Sequence, residues 1–149
     1  MKKRTRKIDK IVSLAAAEER SLGEQAGRSR KYLDEQLDRL GELNAFRHNY
    51  TGNNPASSGV SAAHLKDYQG FLDRLDAAVA AQRQIIRDGE RNLETHRQRW
   101  LAKRQRLESL ERVLEKYKDQ DRAYESRLEQ KSADELSNLK PSGFETRKS

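Results

Sequence analysis

The sequence has no cysteine, only two prolines, and aromatic residues at just 6% of its 149 positions. Without cysteine, disulfide bonds and thiolate metal sites are excluded. No stretch approaches the ~20 consecutive apolar residues that a membrane-spanning helix needs. Hydrophobic residues make up 34% of the chain and charged residues 37%. This balance is too polar for a thick globular core but usual for coiled coils, in which about two positions in seven are buried.

What the sequence does contain is an apolar repeat with a seven-residue period. Its first column contains Leu65, Leu72, Val79, Ile86, Leu93, Trp100, Leu107, Leu114 and Leu128. Asp121 is the one interruption in this column. A second column, three residues later, contains Tyr68, Leu75, Leu110, Tyr117 and Tyr124. Alternating steps of three and four residues indicate the buried seam of a coiled coil, so the sequence predicts one very long helix here.

A second, shorter helix is predicted before this one. Its apolar pattern changes phase between Ser29 and Leu33, which indicates a stutter. Three glycines weaken this helix relative to alanine. They are Gly23, Gly27 and Gly41.

Between the two helices, glycines, paired asparagines and Pro55 predict a tight connection. The predicted segments are a flexible basic N-terminus (1–5), a first coiled-coil helix (6–50), a hairpin loop (51–60), a second coiled-coil helix (61–139) and a disordered tail (140–149). We therefore predict an all-α fold in which two long helices form an antiparallel coiled-coil hairpin and the second helix is longer.

The two predicted helices differ in length, which has a consequence for pairing. At about 1.5 Å of rise per residue, the first helix reaches only to about Leu107 of the second. The stripe that follows, roughly 108–136, is then predicted to lack a partner within the chain. Such a stripe needs another chain or a partner protein, or it must tolerate exposure to solvent.

Catalytic patterns are missing from the sequence. His48, His64 and His96 do not have the spacing of metal ligands, and a site formed by the first two at the hairpin tip is a weak alternative. There is no glycine-rich phosphate loop and no nucleophile in a recognisable setting. We expect no enzymatic activity, no metal and no cofactor.

Positive charge is concentrated in two segments of a chain whose formal net charge is +7. Residues 2–10 have six lysines and arginines against Asp9 alone, and residues 97–106 have five with no acid. Such clusters attract nucleic acid, anionic lipid or acidic protein surfaces, or they simply form a solvated helix face. A basic nucleic-acid-binding coiled coil and a self-assembling structural coiled coil therefore stay open as alternatives. No nucleic-acid recognition module appears in the sequence, which argues against the first.

Aromatic residues cluster on either side of the predicted loop. Phe46 and Tyr50 precede it, and Tyr68 and Phe71 follow it. A hairpin brings the two pairs together, and Phe71 falls outside the seam. An aromatic side chain off the seam is a candidate contact for a partner, or it widens the packed stripe.

Three short segments share their order and spacing with a known family. They are Asp67-Tyr68-Gln69-Gly70-Phe71-Leu72 followed by Leu75, Arg97-Gln98-Arg99-Trp100 followed by Lys103-Arg104, and Arg127-Leu128-Glu129-Gln130-Lys131 followed by Asp134-Glu135. Together with Tyr50 before a Gly/Asn loop, they resemble the FliJ family of flagellar export proteins over about residues 8–137.

The resemblance implies a two-helix coiled coil that acts as the central stalk of the flagellar type III export ATPase complex. A stalk of this kind links the hexameric export ATPase to the membrane export gate FlhA, promotes ATPase assembly and escorts export chaperones. The implied location is the cytoplasm, with peripheral association at the inner membrane at the flagellar base. The implied membrane contact is only through the gate, and no nucleic acid is expected.

The resemblance also implies two sets of binding residues. Contacts with the linker of the export gate fall on Leu43, Phe46, Tyr50, Phe71, Leu75, Ala78 and Gln82. Contacts with the ATPase ring are expected at Lys2, Lys3, Arg4, Arg6, Lys7, Lys10, Leu110, Leu114, Tyr117, Tyr124 and Leu128. Two positions depart from the family, because Phe46 stands where some members carry tyrosine and Gln82 where some carry histidine.

Overall fold

The computed structural model describes residues 2–52, 59 and 61–139, and these form two helices. Helix α1 is Lys3–Gly52, with 50 residues, and helix α2 is Ala62–Leu139, with 78 residues. The predicted all-α fold of two packed helices, the second longer, is confirmed. Most of the predicted hairpin loop and the whole predicted tail lie outside the described residues.

Helix α1 begins earlier than predicted, and α2 begins at a side-chain cap. The predicted flexible segment 1–5 is helical from Lys3 onward. At the start of α2, Ser61 Oγ accepts a hydrogen bond from the His64 amide at 3.3 Å. This side chain satisfies one of the amides that a helix N-terminus leaves without a partner.

The chain forms two compact units, each containing parts of both helices. Unit 1 combines Met1–Glu18 with Lys103–Ser149, and unit 2 is Glu19–Ala102. In unit 2, Gln36 contacts Gln82 and Glu19 contacts Trp100. Rising numbers in α1 thus meet falling numbers in α2, so the helices of this unit are antiparallel.

The core of unit 2 follows the predicted seam of α2. Leu33, Ile86 and Leu93 form one buried cluster, with Leu40 packed against it. The buried positions of α2 are spaced by alternating steps of four and three residues. Within unit 2 they are Leu75, Val79, Gln82, Ile86, Gly89 and Leu93.

The predicted stutter in α1 is wrong. Positions from Ala26 through Ser29 and Leu33 to Gln36 are all at least partly buried and keep alternating steps of three and four. Leu37, an apolar residue that follows the predicted phase change, is 45% exposed beside the seam. Polar side chains occupy seam positions in α1, which is why apolar residues alone give a false phase.

A pair of glutamines is buried in the middle of unit 2. Gln82 Nε2 donates to the main-chain oxygen and to Oε1 of Gln36, both at 2.9 Å. The two residues are 8% and 3% exposed. A polar pair that satisfies itself within a coiled-coil seam reduces stability but fixes the register of the two helices.

We expect Gln82→Leu to lower the free energy of unfolding by about 1–3 kcal/mol, because Gln36 Oε1 loses its donor while buried. The double variant Gln36→Leu/Gln82→Leu should recover at least the wild-type value, since both polar groups are then gone. Urea unfolding followed by circular dichroism measures both. A single variant as stable as the wild type would show that the pair is not coupled.

In unit 1, α1 covers α2 further than its predicted length allowed. Leu114 is 8% exposed, and the Lys2 ammonium lies 3.9 Å from the Tyr124 ring centroid. The predicted limit near Leu107 is therefore wrong. The prediction began the first helix at residue 6, whereas α1 begins at Lys3 and Thr5 of its first turns meets Asp121.

Beyond Tyr124, α2 carries apolar side chains with high exposure. Leu128, Leu136 and Leu139 are 47%, 65% and 75% exposed. The unpaired stripe is thus shorter than predicted and begins after Tyr124. Among the described helices, neither has a segment long and apolar enough to cross a membrane.

Candidate protein-binding sites

Four aromatic rings meet in unit 2, as the sequence predicted, and we call them the aromatic cluster. Tyr50 lies at its centre, with ring centroids 4.5 Å from Phe71 and 5.0 Å from Tyr68. Phe46 meets Phe71 edge-on at 6.1 Å. Aromatic pairs prefer such stacked and edge-on arrangements, and each adds to the energy of area burial. The cluster therefore joins the end of α1 to the beginning of α2.

Part of the aromatic cluster faces solvent. Phe46 is 52% exposed, and it lines a groove of about 480 Å³ together with Leu43 and Arg39. Next to the rings, Arg47 Nε bonds Asp76 Oδ1 at 2.5 Å between the two helices. A rigid exposed ring bordered by charged side chains has the composition of a protein-binding hot spot.

The seven residues predicted to bind the export gate all lie in unit 2 but differ in exposure. Phe46 and Ala78 are exposed, and Leu43, Tyr50 and Phe71 are partly buried. Leu75 and Gln82 are each 8% exposed because they pack between the helices. These two residues support the surface and offer little area to a partner. The assignment of the set to gate binding stays a prediction.

In unit 1 the predicted basic N-terminus is attached to α2 by several contacts, which we call the terminal clasp. Thr5 Oγ1 donates to Asp121 Oδ2 at 2.7 Å, and the Lys2 amide donates to the same oxygen at 3.2 Å. The Arg4 guanidinium lies 4.0 Å from the Tyr117 ring centroid. Thr5 has no exposed surface. The ordered start of α1 is a consequence of these contacts.

Asp121 is a residue whose role the sequence does not reveal. In the apolar column it is an interruption, yet in the structure it is the acceptor of the terminal clasp. The hydrogen bond from Thr5, with that from the Lys2 amide, lowers the pKa of the Asp121 carboxyl below its usual value. The one signal in the sequence is that Thr5 and Asp121 both occupy seam positions.

The basic residues of α1 that are predicted to bind the ATPase ring fall into two groups, one inside the terminal clasp and one outside it. Lys2 and Arg4 lie over tyrosine rings of α2. On the other side of α1, four cations line one groove of about 420 Å³. They are Lys3, Arg6, Lys7 and Lys10. Their charges are exposed to any partner that approaches this face.

On α2, the predicted ring contacts also differ in exposure. Leu114 is buried, Leu110 and Tyr117 are partly buried, and Tyr124 and Leu128 are exposed. Only the last two offer a large area to a partner. The assignment of the whole set to the ATPase ring stays a prediction.

Within the described part of the chain, no three histidine, cysteine, aspartate or glutamate residues are grouped in a way that could hold a metal ion. His48 and His64, the weak metal candidate in the sequence, are not part of such a group. What the described residues offer is exposed rings and exposed charge. These features suit the binding of other proteins.

Comparison with known proteins identifies the family. The family model described as "Flagellar FliJ protein" matches residues 4–143. The flagellar FliJ protein of Escherichia coli (strain K12) is 30% identical over 118 residues, which cover 78% of this chain and 78% of that protein. No solved structure matches. The resemblance inferred from the short segments is confirmed, and the chain belongs to the FliJ family of flagellar proteins.

Proposed function

We propose that this FliJ-family chain is the central stalk of the flagellar export ATPase complex. In this role it links the hexameric ATPase to the linker of the export gate FlhA, promotes ATPase assembly and escorts export chaperones. Family membership makes the chain a component of flagellar export. The proposed role is non-enzymatic. The proposed location is the cytoplasm, with peripheral association at the inner membrane at the flagellar base.

The observation that carries the proposal is the half-exposed Phe46 at the edge of the aromatic cluster. Its ring is held by Tyr50 at 6.4 Å and by Phe71 at 6.1 Å, so little side-chain entropy is lost when a partner covers it. Phe46 also stands among the family's gate-binding positions. An exposed, pre-ordered ring is the kind of residue that dominates the energy of an interface.

The ring-binding role is assigned to the face of α1 that carries Lys3, Arg6, Lys7 and Lys10. Exposed charges of one sign increase the association rate with a surface of the opposite sign. They give modest energy per contact in water. A loosely held stalk needs this combination of fast association and weak individual contacts.

The proposal predicts that Phe46→Ala weakens binding of the purified FlhA linker and cytoplasmic domain by roughly ten-fold or more, which is the usual effect of removing an interface hot spot. Swimming in soft agar should fall with it. Helicity should be unchanged, because more than half of the side chain is already exposed. Leu37→Ala is the matched control, since Leu37 is an exposed apolar residue of α1 outside the cluster.

The converse variant replaces Lys3, Arg6, Lys7 and Lys10 by glutamine. It should reduce stimulation of the export ATPase while gate binding stays at the wild-type level. If Phe46→Ala left gate binding and motility intact, the aromatic cluster would not be the gate site. If each variant impaired both activities equally, two separate binding surfaces would be the wrong description.

A further inference from the structure

A groove in unit 2 belongs to neither of the two proposed binding surfaces. It has a volume of about 280 Å³ and lies between the two helices. Its lining includes Gly23, Gly27, Arg30, Leu93, Arg97 and Trp100. We call it the tryptophan groove. Both arginines are basic residues that the proposed function does not use, and Arg97 belongs to the second of the two basic segments in the sequence.

Two glycines and one leucine shape the floor of the tryptophan groove. A Cβ atom at Gly23 would lie 3.0 Å from Nε1 of Trp100, so the indole occupies the space that a side chain would take. A Cβ atom at Gly27 would meet nothing within 4 Å, so the groove is open at that position. Leu93 is 8% exposed. The floor is therefore apolar, and open space remains above Gly27.

Trp100 forms one wall of the groove and is held in place. Its Nε1 donates to Glu19 Oε1 at 2.8 Å across the helix pair. A tryptophan that already has its hydrogen bond can offer its remaining surface to a ligand without leaving a polar atom unsatisfied. The wall is thus preformed.

The rim of the groove is positively charged. Arg97 forms no ion pair or hydrogen bond with the residues that the structure describes. Arg30 is paired with Asp34 at 3.4 Å, in a contact where both side chains are more than half exposed. Such exposed pairs are weak and exchange readily. Both guanidinium groups can therefore bind carboxylates of a partner, preferably through two parallel (bidentate) hydrogen bonds.

The size of the groove selects among ligands. Pockets that bind drug-sized ligands usually measure about 300–1,000 Å³, and this groove falls below that range. It is large enough for one apolar side chain. We propose that the tryptophan groove docks an acidic segment of a partner protein, which inserts one apolar side chain between Gly27 and Trp100 and places carboxylates on Arg30 and Arg97.

The single tryptophan of the chain makes this proposal directly measurable. The probe is a synthetic amphipathic peptide of glutamate, alanine and leucine, titrated into the full chain while Trp100 emission is recorded. We expect a saturable change in emission that weakens as salt is raised, because carboxylates meet exposed guanidinium groups. A change that does not saturate, or no change at all, would overturn the proposal.

Gly27→Leu tests the apolar part of the groove. Leucine has room at this position and is a far better helix former than glycine, so the variant should fold. We expect peptide affinity to fall by roughly ten-fold or more, as when a hot-spot pocket is blocked. Gly41→Leu is the matched control, because Gly41 is also a helical glycine at which a Cβ atom would meet nothing within 4 Å. Equal affinity of the two variants would overturn the proposal.

Arg97→Gln tests the rim, with Arg83→Gln as the control at another exposed arginine of α2. We expect a several-fold loss of peptide affinity for Arg97→Gln and none for the control.

Two further probes separate the kinds of ligand. A peptide with serine in place of leucine should bind much more weakly. Equal binding of the two peptides would show that charge alone drives binding, which would overturn the insertion of an apolar side chain. If single-stranded oligothymidylate bound more tightly than the peptide, and this binding were lost in Gly27→Leu, the ligand of the groove would be nucleic acid and the proposed protein partner would be wrong.

Discussion

Replacing Ile86 by alanine is expected to lower the free energy of unfolding by about 2–5 kcal/mol, as is usual for truncating a buried isoleucine. Ile86 is 6% exposed and belongs to the core cluster with Leu33 and Leu93. Truncation removes apolar contacts and leaves a cavity that two packed helices cannot close without losing other contacts. Chemical unfolding in urea, followed by circular dichroism, measures the change.

The preceding residue supplies the control for this experiment. Ile85 has the same side chain as Ile86 but is 38% exposed. We expect Ile85→Ala to change the free energy of unfolding by no more than about 1 kcal/mol, because much of the side chain is already in water. Similar effects at both positions would contradict the seam as the structure has it.

The contrast between these isoleucines shows why α2 was predictable. Its seam residues are mostly apolar, so their spacing of three and four residues stands out from a charged background. The columns that begin at Leu65 and Tyr68 are at least partly buried as far as Asp121. In a coiled coil, periodic burial is the main constraint on sequence, and the sequence of α2 follows it closely.

The phase of α1 could not be read in the same way, because polar and small side chains occupy several seam positions. Ser29 and Gln36 are at least partly buried, whereas apolar Leu37 and Phe46 lie outside the seam and are about half exposed. Gln36 is tolerated in the seam because Gln82 supplies its hydrogen bond. Such a pair is invisible until the register between the helices is known.

The candidate sites likewise differ in whether the sequence could predict them. The aromatic cluster was predictable, because the end of one helix and the beginning of the next must meet when the two helices pair antiparallel. The tryptophan groove was not, since Gly23 and Gly27 read in the sequence only as weak points of a helix. Their role depends on Trp100, which stands 77 positions after Gly23 in the sequence and fills the space beside it. Contacts between distant residues of this kind require the register between the helices.

Replacing Asp121 by asparagine is expected to release the first turns of α1 from α2. At neutral pH the carboxylate accepts hydrogen bonds from Thr5 and from the Lys2 amide, and its charge lies at the positive end of the α1 dipole. Asparagine keeps the shape but removes the charge. We expect hydrogen exchange at the Arg6 amide, which donates to the Lys2 carbonyl at 3.1 Å, to accelerate by roughly ten-fold or more.

The same variant should lose its effect in acid. The hydrogen bonds from Thr5 and Lys2 hold the pKa of Asp121 below its ordinary value, so the folded chain binds this proton less readily than the unfolded chain. The stabilisation is therefore complete above the ordinary pKa of an aspartate and is lost as the pH falls through the lower value of the folded state. Wild type and Asp121→Asn should show the same Arg6 protection once the carboxyl is protonated.

Two controls make this result specific to the terminal clasp. Asp134→Asn removes a carboxylate from an exposed position of α2 and should leave Arg6 protection unchanged at every pH. Thr5→Val removes the donor while keeping the shape of the side chain, and it should accelerate exchange at neutral pH as Asp121→Asn does. Protection that survives Asp121→Asn at neutral pH, or a difference from wild type that grows in acid, would show that another contact holds the start of α1. If the clasp behaves as expected, the order of the N-terminal turns follows from one carboxylate that the apolar pattern of α2 marks as a defect.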